Sequence, residues 1–579
     1  MEYNKDSFLA GVAVGRTLKG WASAGSGASE QYPGGYGWDT SNPQTVYRHM
    51  RPAGWLPMPT PAEDELWLLM QIPAEGRGYI AFETDTTAKK NADNTTYHPD
   101  YTVDVYDVVD GSRTLKEHTS VASGAVWETS LLGSDYHNPV VEDGATYTQA
   151  LVRVYGPALM RFIWRHHSAL NNGSSAWGQY MDWRVVEIAG RLPSVVIFGR
   201  QNQGLKYSAP ATNATRFFAL HGTNKLKYLN FSHSAQQPGY AGGTNLRAVL
   251  ELDCSSITDG VSFSGCYKLL AVPHLNLENS TVAPNFNTCY ALVVAPSFDV
   301  PKATTASSLF YNCKSLEKVG NLSFPAAQTI AGLFSGCTSL KRVGRIFAPV
   351  ATVASTLFTG CTSLEEVADI DLPAVTNMGS MFYNCISIEA APSISAPAAT
   401  IATNMFYGCQ RLKKLPAITV NATSNNANDI FYMCLDATET EEINVGSAVA
   451  TRVFANCYGL RKAKITASGG GAVFSGCVNL EDVEITCTGR ICTPVSGGKF
   501  YQSLRRFIFR TTNTAFGGSA LDFSGTSLCR PEVLEMFAEM PDISSGTTRN
   551  ITLKRTPAAA DLTADDIAVA VAKGWSIVT

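Results

Sequence analysis

Ten cysteines between residues 266 and 477 are the side chains whose chemistry and spacing stand out first in this sequence. Each follows a phenylalanine by three residues, and successive gaps run 23, 24, 24, 24, 24, 24, 25, 23 and 20 residues. Thiols can form disulfides or bind zinc, and both chemistries depend on spacing. The ten are Cys266, Cys289, Cys313, Cys337, Cys361, Cys385, Cys409, Cys434, Cys457 and Cys477. Spacing this regular predicts one repeated structural position.

The cysteine pattern favours reduced thiols in a protein core. Equivalent residues of stacked coils lie about 4.8 Å apart, so a disulfide ladder would bridge only alternate pairs, and nothing in the sequence alternates. Zinc is disfavoured because no Cys-x-x-Cys pair occurs and no histidine follows His274. We therefore expect thiols that act as small hydrophobic groups, compatible with a reducing cytoplasm, and we expect no metal and no cofactor.

Catalytic side chains are scarce in this sequence. The absence of histidine from residues 275–579 removes the commonest general base from most of the repeats. His166 and His167 are adjacent, and adjacent strand residues face opposite sides, so we interpret them as structural or surface residues. No G-x-S-x-G, H-E-x-x-H or P-loop motif occurs. We predict no catalytic residue and no enzyme, although a glycosidase carboxylate pair is defined in space and leaves no sequence pattern.

A row of tyrosines is the first candidate ligand surface. Tyrosine directly follows the repeated phenylalanine at Tyr311, Tyr383, Tyr407 and Tyr432, and the last three belong to consecutive coils. Amphipathic aromatic side chains of this kind occur at recognition surfaces. The row is therefore either a platform on which sugar rings stack or a packed ridge.

Charged residues form a second candidate surface, directly after the leucine that opens each predicted strand. Examples from three consecutive coils are Glu317 and Lys318, Lys341 and Arg342, and Glu365 and Glu366. Stacking would place Lys341 or Arg342 beside a glutamate of the next coil. We interpret the row as a solvated face with complementary charge, with a ligand site as the alternative.

These side chains need an element that repeats, and a solenoid of stacked coils provides it. A fixed period in the twenties means that each coil buries its apolar face only against its neighbours. A proline recurs twelve residues after the cysteine, as at Pro325, and suits a corner because it donates no hydrogen bond. The predicted core residues are Phe310, Cys313, Leu316, Phe334, Cys337, Leu340, Phe358, Cys361, Leu364, Phe382 and Cys385. A scaffold of this kind favours binding over catalysis.

The chain as a whole is predicted to be mainly β with short helices. Residues 1–45 are predicted to form an N-terminal attachment segment with a helix over 7–20, which either inserts into a larger assembly or packs on its own domain. Residues 46–200 are predicted to form a β-sandwich of short alternating strands. A solenoid of coils of about 23–24 residues follows over 201–528. Residues 529–579 form a C-terminal α/β cap over the last open edge.

Bulk composition excludes several classes of partner. The 579 residues carry a net charge of −4, so no basic excess points to nucleic acid. No run of about 18 apolar residues occurs, and we expect no membrane insertion. The N-terminus is a poor secretory signal, because Glu2 and Asp6 outweigh Lys5 ahead of a short apolar run.

The repeats resemble the BspA-like leucine-rich repeats of bacterial surface proteins. The residues that carry the resemblance are Met378-Gly-Ser-Met381-Phe382-Tyr-Asn-Cys385 with Ile388, and Leu333-Phe334-Ser-Gly-Cys337-Thr-Ser-Leu340. It covers about residues 220–579, including the ending Leu562-Thr-Ala-Asp-Asp-Ile and Lys573-Gly-Trp575. The motif is specific for fold and weak for ligand.

A second resemblance concerns the N-terminal region. Ser7-Phe-Leu-Ala-Gly-Val-Ala-Val-Gly-Arg16 and Arg51-Pro-Ala-Gly-Trp55-Leu-Pro-Met-Pro59 look like the starts of tail-associated proteins from phages of gut bacteria. In such proteins a β-sandwich often precedes repeats of this kind. Some of those sandwiches carry an Asp-Gly-Asp-Gly-type turn. In this sequence the same region has Asp104, Asp107, Asp110 and Gly111 instead, and this difference puts a calcium role in doubt.

The two resemblances imply a phage tail fibre or tail-associated receptor-binding protein that contacts the host cell surface through its solenoid. The implied partners are other virion tail proteins, contacted through the N-terminal region, and a host surface glycan or protein. We expect a homo-oligomer located in the virion tail after assembly in the host cytoplasm. The alternative is a BspA-like adhesin on the bacterial cell surface, and a glycan-degrading enzyme is a third hypothesis.

Overall fold

The structure of this chain is a computed structural model. It describes residues 37–579 apart from 92, 143, 165–183, 196, 200–216, 222–227, 231–245, 369, 392–393, 397, 422–425, 447–450, 469, 472, 488–491, 494–498 and 512–519. The predicted helix over 7–20, most of the attachment segment and the histidine pair at 166 and 167 lie outside the described residues.

The N-terminal part is a two-layer β-sandwich preceded by helix α1 (Pro43–Met50). Its strands are β1 (Glu65–Pro73), β2 (Arg77–Thr86), β3 (Lys89–Lys90), β4 (Thr96–Tyr97), β5 (Tyr101–Val109), β6 (Ser112–Val121), β7 (Val126–Leu132), β8 (Val140–Glu142), β9 (Ala145–Tyr155), β10 (Leu159–Trp164), β11 (Arg184–Arg191), β12 (Ile197–Gly199), β13 (Phe217–His221), β14 (Tyr228–Asn230), β15 (Ala248–Leu252) and β16 (Val261–Ser262). The first sheet has the order β15-β13-β11-β1-β9-β5-β6, with β8 beside β9, and the second has the order β16-β14-β12-β10-β2-β7. Strands β3 and β4 pair separately.

Strand β1 lies inside the first sheet and is buried on both faces. Leu66 and Leu68 belong to the core between the two sheets, whereas Trp67 and Leu69 belong to a second core on the outer face. Helix α1 closes that second core through Val46. This double burial explains why β1 reads as a continuous apolar run instead of an alternating one.

A buried carboxylate fixes the covering segment, residues 38–58, to the first sheet. Glu187 of β11 accepts hydrogen bonds from the Tyr47 hydroxyl at 2.7 Å and from Arg51 Nε at 2.9 Å. Burial raises the pKa of the Glu187 carboxyl, although Arg51 opposes that rise. The same outer core includes Ala248 and Leu270, so the covering segment spans both the sandwich and the first coils.

Both sandwich sheets extend into the first coils through parallel strand pairs. Strands β11, β13 and β15 are parallel neighbours in the first sheet, and β10, β12, β14 and β16 are parallel neighbours in the second. Bridges from Ala248 to Ala271 and from Ser262 to Asn285 carry both rows into the next coil. The division predicted at residue 200 stays a prediction.

The solenoid consists of short parallel strands that repeat in register. They are β17 (Val294–Ala295), β18 (Phe298–Asp299), β19 (Lys318–Val319), β20 (Leu322–Ser323), β21 (Arg342–Val343), β22 (Ile346–Phe347), β23 (Glu366–Val367), β24 (Ile370–Asp371), β25 (Ile394–Ser395), β26 (Lys414–Leu415), β27 (Ile418–Thr419), β28 (Glu439–Asn444), β29 (Lys462–Ala467), β30 (Gly470–Gly471), β31 (Asp482–Cys487), β32 (Cys492–Thr493), β33 (Arg506–Thr511) and β34 (Leu521–Asp522). The rows are β17-β19-β21-β23, β18-β20-β22-β24, β25-β27-β28-β29-β31-β33 with β26 beside β28, and β30-β32.

A tight turn precedes the cysteine in every coil. The residue immediately before each of the ten cysteines has a positive φ, from 57° at Asn312 to 81° at Gly476. Glycine and asparagine adopt this left-handed conformation at least cost, and they occupy most of these positions. The recurrent Gly or Asn is therefore explained by the backbone conformation at this position.

The C-terminal residues end the solenoid with three helices and a small parallel sheet. The helices are α2 (Arg530–Glu539), α3 (Pro557–Asp561) and α4 (Ala564–Ala572), and strands β35 (Arg549–Thr552) and β36 (Trp575–Val578) extend β34. Lys573 joins the parts, because its ammonium donates to the carbonyls of Phe537, Ala538 and Met540 at 2.7–3.1 Å.

The predicted fold class is confirmed: the chain is mostly β with short helices, and an N-terminal β-sheet region leads into a leucine-rich-repeat solenoid. One hydrophobic core extends from Leu66 in the sandwich to Trp575 at the C-terminal end. The side chains that reach solvent are therefore held on a single continuous scaffold. No helix in the described part of the chain is long and apolar enough to cross a bilayer.

Candidate functional site

The repeated phenylalanines form one stack of rings along the solenoid interior. From Phe263 to Phe474, neighbouring ring centroids are 5.0–5.8 Å apart and their planes differ by 24° or less. The structure buries all eleven predicted core residues, from Phe310 to Cys385. These rows therefore hold the coils together, and only the outer side chains can contact another molecule.

The cysteines add a hydrogen bond to this packing. From Cys289 to Cys477, each thiol donates to the carbonyl of the repeated phenylalanine one coil earlier, with sulfur–oxygen distances of 2.9–3.4 Å. The Phe310 carbonyl, for example, accepts from the backbone N–H of Cys313 and from the thiol of Cys337, both at 3.0 Å. The expectation that these thiols act only as small hydrophobic groups was incomplete.

Burial also makes these thiols unreactive. It raises the pKa of the Cys313 thiol to about 12 and holds that of Cys337 well above its ordinary value. The thiolate, which is the form that oxidises and binds metals, is therefore disfavoured. The cysteines that the structure describes as free include one exposed residue, Cys529. Within the described ranges, no group of three or more His, Cys, Asp or Glu side chains could hold a metal ion.

Three of the four predicted surface tyrosines form a stack. The ring centroids of Tyr383 and Tyr407 are 4.8 Å apart, as are those of Tyr407 and Tyr432, and neighbouring planes differ by 15° and 11°. Tyr311 lies apart and is 39% exposed. Two coils separate it from Tyr383, and those coils carry serine and threonine at the same position.

This stacking covers the ring faces on which a sugar would stack. Rings 4.8 Å apart contact each other directly, so no second ring fits between them. On the side of the following coil, the Arg452 guanidinium lies 5.8 Å from the Tyr432 centroid and pairs with Asp429 at 2.8 Å. The row presents mainly ring edges and hydroxyls, and its role as a ligand surface stays a prediction.

The charged row is paired within the chain. Lys341 Nζ lies 2.9 Å from Glu317 Oε2, and Arg342 Nε lies 3.6 Å from Glu366 Oε2. Each exposed pair of this kind contributes only about 0–1 kcal/mol to stability. These pairs neutralise one another's charge, as expected for a solvated face with complementary charge.

Two of the three aspartates that replace the Asp-Gly-Asp-Gly-type turn, Asp104 and Asp107, accept hydrogen bonds from protein donors. Asp104 Oδ1 lies 2.7 Å from His118 Nδ1, and Asp104 Oδ2 accepts from the Tyr106 hydroxyl at 3.0 Å. Asp107 Oδ2 lies 2.6 Å from His137 Nδ1, and Asp107 Oδ1 accepts from the His137 backbone N–H at 3.0 Å. Both carboxylates therefore serve a structural network, which supports the doubt about calcium.

A surface cleft on the first coils was not among the predicted sites. It has a volume of about 360 Å³ and is lined by Tyr267, Tyr290, Ala291, Val293, Ser315, Glu317 and Ser339. The rings of Tyr267 and Tyr290 are stacked, with centroids 4.9 Å apart and planes 9° apart. Lys314 Nζ lies 5.4 Å from the Tyr290 centroid. The cleft thus combines aromatic, aliphatic, hydroxyl and paired charged groups.

The cleft forms where the repeat changes its outer residues. Tyrosine directly follows the cysteine in two consecutive coils, at Tyr267 and Tyr290, whereas the next coil has Lys314. Two residues after the cysteine, Ala291 stands between Lys268 and Ser315 in successive coils. The small alanine beside two large rings leaves space. The tyrosine pair was visible in the sequence, but it falls outside the row that follows the phenylalanines.

Comparisons with known proteins agree with the repeat pattern. Residues 286–413 and 378–503 match the model of the BspA type leucine rich repeat region, in six copies. No curated protein matches the chain. Among solved structures, the chain is similar to the leucine rich repeat protein of T. pallidum, with 17% identity over 34% of this chain and 76% of that chain and a TM-score of 0.20. We draw nothing further from that structural likeness. The resemblance to BspA-like repeats is confirmed, and the resemblance to phage tail proteins stays a prediction.

Proposed function

We propose that this chain, which carries a BspA-type leucine-rich repeat region over residues 286–503, is an adhesive protein that binds a cell surface through its solenoid. Solenoids of this kind are typically non-catalytic binding scaffolds. The observation that carries the proposal is the register of the coils, in which side chains one coil apart repeat along a continuous exposed face. A rigid, extended face suits recognition of another surface, because little conformational entropy is lost on binding.

The outer face continuous with the first sheet is the part of the solenoid we assign to binding. Over the sandwich and the first coils this face is covered by residues 38–58. Beyond the cover it carries the cleft and then the paired charges that begin with Lys341 and Glu317. Because these charges are paired, recognition depends on shape and hydrogen bonding more than on net charge.

Binding of the full-length chain to intact cells tests the proposal. Fluorescently labelled protein is incubated with a panel of gut bacteria, and the heat-unfolded chain serves as the control. We expect saturable binding to at least one strain by the folded chain alone. Binding by neither form, or equal binding by both, contradicts an adhesive role.

Two finer versions of the proposal differ in where the chain is located. In the first, the N-terminal region docks a homo-oligomer to other tail proteins of a phage, as the resemblance of residues 7–16 and 51–59 implies. In the second, the chain is an adhesin on the bacterial surface. Antibodies against the chain separate them: labelling of purified virions supports the first version, and labelling of intact uninfected bacteria supports the second.

A further inference from the structure

We propose that the cleft around Tyr267 and Tyr290 binds one or two sugar rings of a cell-surface glycan. This inference rests on the adhesive function proposed above and names the class of ligand. The cleft lies where the outer residues differ from those at the same positions of the other coils. A feature shared by all coils is explained by packing, whereas a hollow confined to particular coils needs a local cause.

The size and depth of the cleft fit a small ligand. Its volume of about 360 Å³ lies near the lower end of the roughly 300–1,000 Å³ that small-ligand sites occupy. Val293 lines it and is buried, whereas Tyr290 lines it and is 37% exposed. The cleft therefore combines a buried aliphatic side chain with an aromatic wall that a ligand can reach.

The lining matches the mixed surface of a sugar. Tyr267 and Tyr290 contribute aromatic rings and hydroxyls to the lining, and Ser315 and Ser339 contribute further hydroxyls. A sugar ring carries apolar C–H groups beside hydroxyls that both donate and accept hydrogen bonds. Because the two tyrosine rings stack on each other, the C–H groups of the sugar would pack against their remaining exposed surface, while its hydroxyls bond to the serines and to Glu317.

Other ligand classes fit this lining less well. A purely apolar ligand would remove water from the hydroxyls of Ser315 and Ser339 without giving them a hydrogen-bonding partner, which costs about 1–3 kcal/mol for each group. A strongly charged ligand would compete with the existing pair, in which Lys341 Nζ lies 2.9 Å from Glu317 Oε2. An uncharged polyhydroxylated ligand meets neither cost.

Two substitutions in the full-length chain test the cleft, and each has a control at the same position of another coil. Tyr290→Ala removes the aromatic wall, and Tyr458→Ala removes a 49% exposed tyrosine that also directly follows a cysteine. Ser315→Trp fills the cleft, and Ser363→Trp adds the same bulk two coils further on. Thermal unfolding of all four variants shows whether each one folds.

Cell binding is measured before and after mild periodate oxidation, which cleaves the vicinal diols of sugars. We expect periodate to abolish binding, both cleft variants to weaken it about tenfold or more, and both controls to bind like the parent chain. Binding that survives periodate overturns the sugar assignment, and equal binding by cleft and control variants overturns the site. Neither of these results contradicts the adhesive function. If the parent chain does not bind cells at all, the adhesive function is contradicted as well.

Discussion

At the level of single residues, the repeated cysteine combines two tasks that no other small side chain combines. It fills a narrow space between coils, and its thiol bonds to a buried phenylalanine carbonyl that already accepts one backbone N–H. Alanine would leave that carbonyl with a single donor. Serine could donate to the same carbonyl, but its side chain is smaller and costs more free energy to remove from water. This explains why cysteine recurs in ten successive coils without forming a disulfide.

Replacing one of these thiols tests that explanation. We expect Cys337→Ala to lower the free energy of unfolding by about 1–2 kcal/mol, through the lost hydrogen bond to Phe310 and the small cavity left behind. The exposed Cys529→Ala should change it by less than about 0.5 kcal/mol. Chemical denaturation under reducing conditions measures both. A Cys337→Ala variant as stable as the Cys529→Ala variant would show that the thiol hydrogen bond contributes nothing.

The tyrosines show what residue spacing can and cannot predict. The sequence placed Tyr383, Tyr407 and Tyr432 in one row, and the row exists. The sequence could not show whether this row is a platform for sugar rings or a packed ridge. The answer depends on side-chain rotamers and on the 4.8 Å contact between the rings. The Tyr267–Tyr290 pair was missed for a different reason. The cleft depends on the combination of these two tyrosines with Ala291. A repeat pattern describes only what the coils share, so it does not show a combination that occurs once.

At the level of the coil, the turn before the cysteine sets the cost of substitution. Gly336 and Gly360 have nearly the same positive φ, 80° and 74°. A Cβ at Gly336 would lie 2.1 Å from Asn312 Oδ1, whereas a Cβ at Gly360 has nothing nearer than 3.9 Å. The two positions share their backbone conformation and differ in the side chain of the preceding coil.

We therefore expect Gly360→Ala to cost about 1 kcal/mol of stability, from the left-handed backbone alone, and Gly336→Ala to cost about 2 kcal/mol. Asn312→Gly removes the clash, so in that background both substitutions should cost the same. Denaturant titrations of the single and double variants form the cycle. Equal costs in the wild-type background would contradict a role for Asn312.

Elements of the sandwich were harder to predict than those of the solenoid. The repeat period identified the coils, and the proline position identified their corners. This was possible because each coil is formed by one continuous stretch of about 24 residues. The parallel pairing of β10 with β12 and of β11 with β13 joins segments that share no repeat, and no local pattern reports such a pairing. The position of α1 over the outer face likewise depends on contacts between residues far apart in sequence, such as Tyr47 and Glu187.

At the level of the whole molecule, the row of buried thiols predicts loss of stability at alkaline pH. In the folded chain, burial raises the pKa of these thiols above the ordinary value of 9.0, to about 12 for Cys313. Below pH 9 both states hold the protons, so the stabilisation is fully present. Above pH 9 the unfolded chain releases protons that the folded chain keeps, and stability is lost as pH rises through the folded pKa.

We expect the melting temperature to fall steadily above pH 9, with each buried thiol contributing up to about 1.4 kcal/mol per pH unit. A double variant, Cys337→Ala with Cys385→Ala, should lose stability less steeply over the same range. Lysine and tyrosine titration is shared by both proteins and cancels in the comparison. Identical slopes for parent and variant between pH 9 and 11 would contradict the prediction.

The stacking of coils also determines how the chain responds to force. Strand pairing joins successive coils along the stacking direction, so two pulled ends load those contacts in series and the weakest coil yields first. Each coil that opens releases about 24 residues, or roughly 80 Å of extended chain. Under shear, such a chain would lengthen one coil at a time while the coils that stay folded keep their surface available for contact. Separating it from a bound surface would therefore take far more work than breaking one rigid contact.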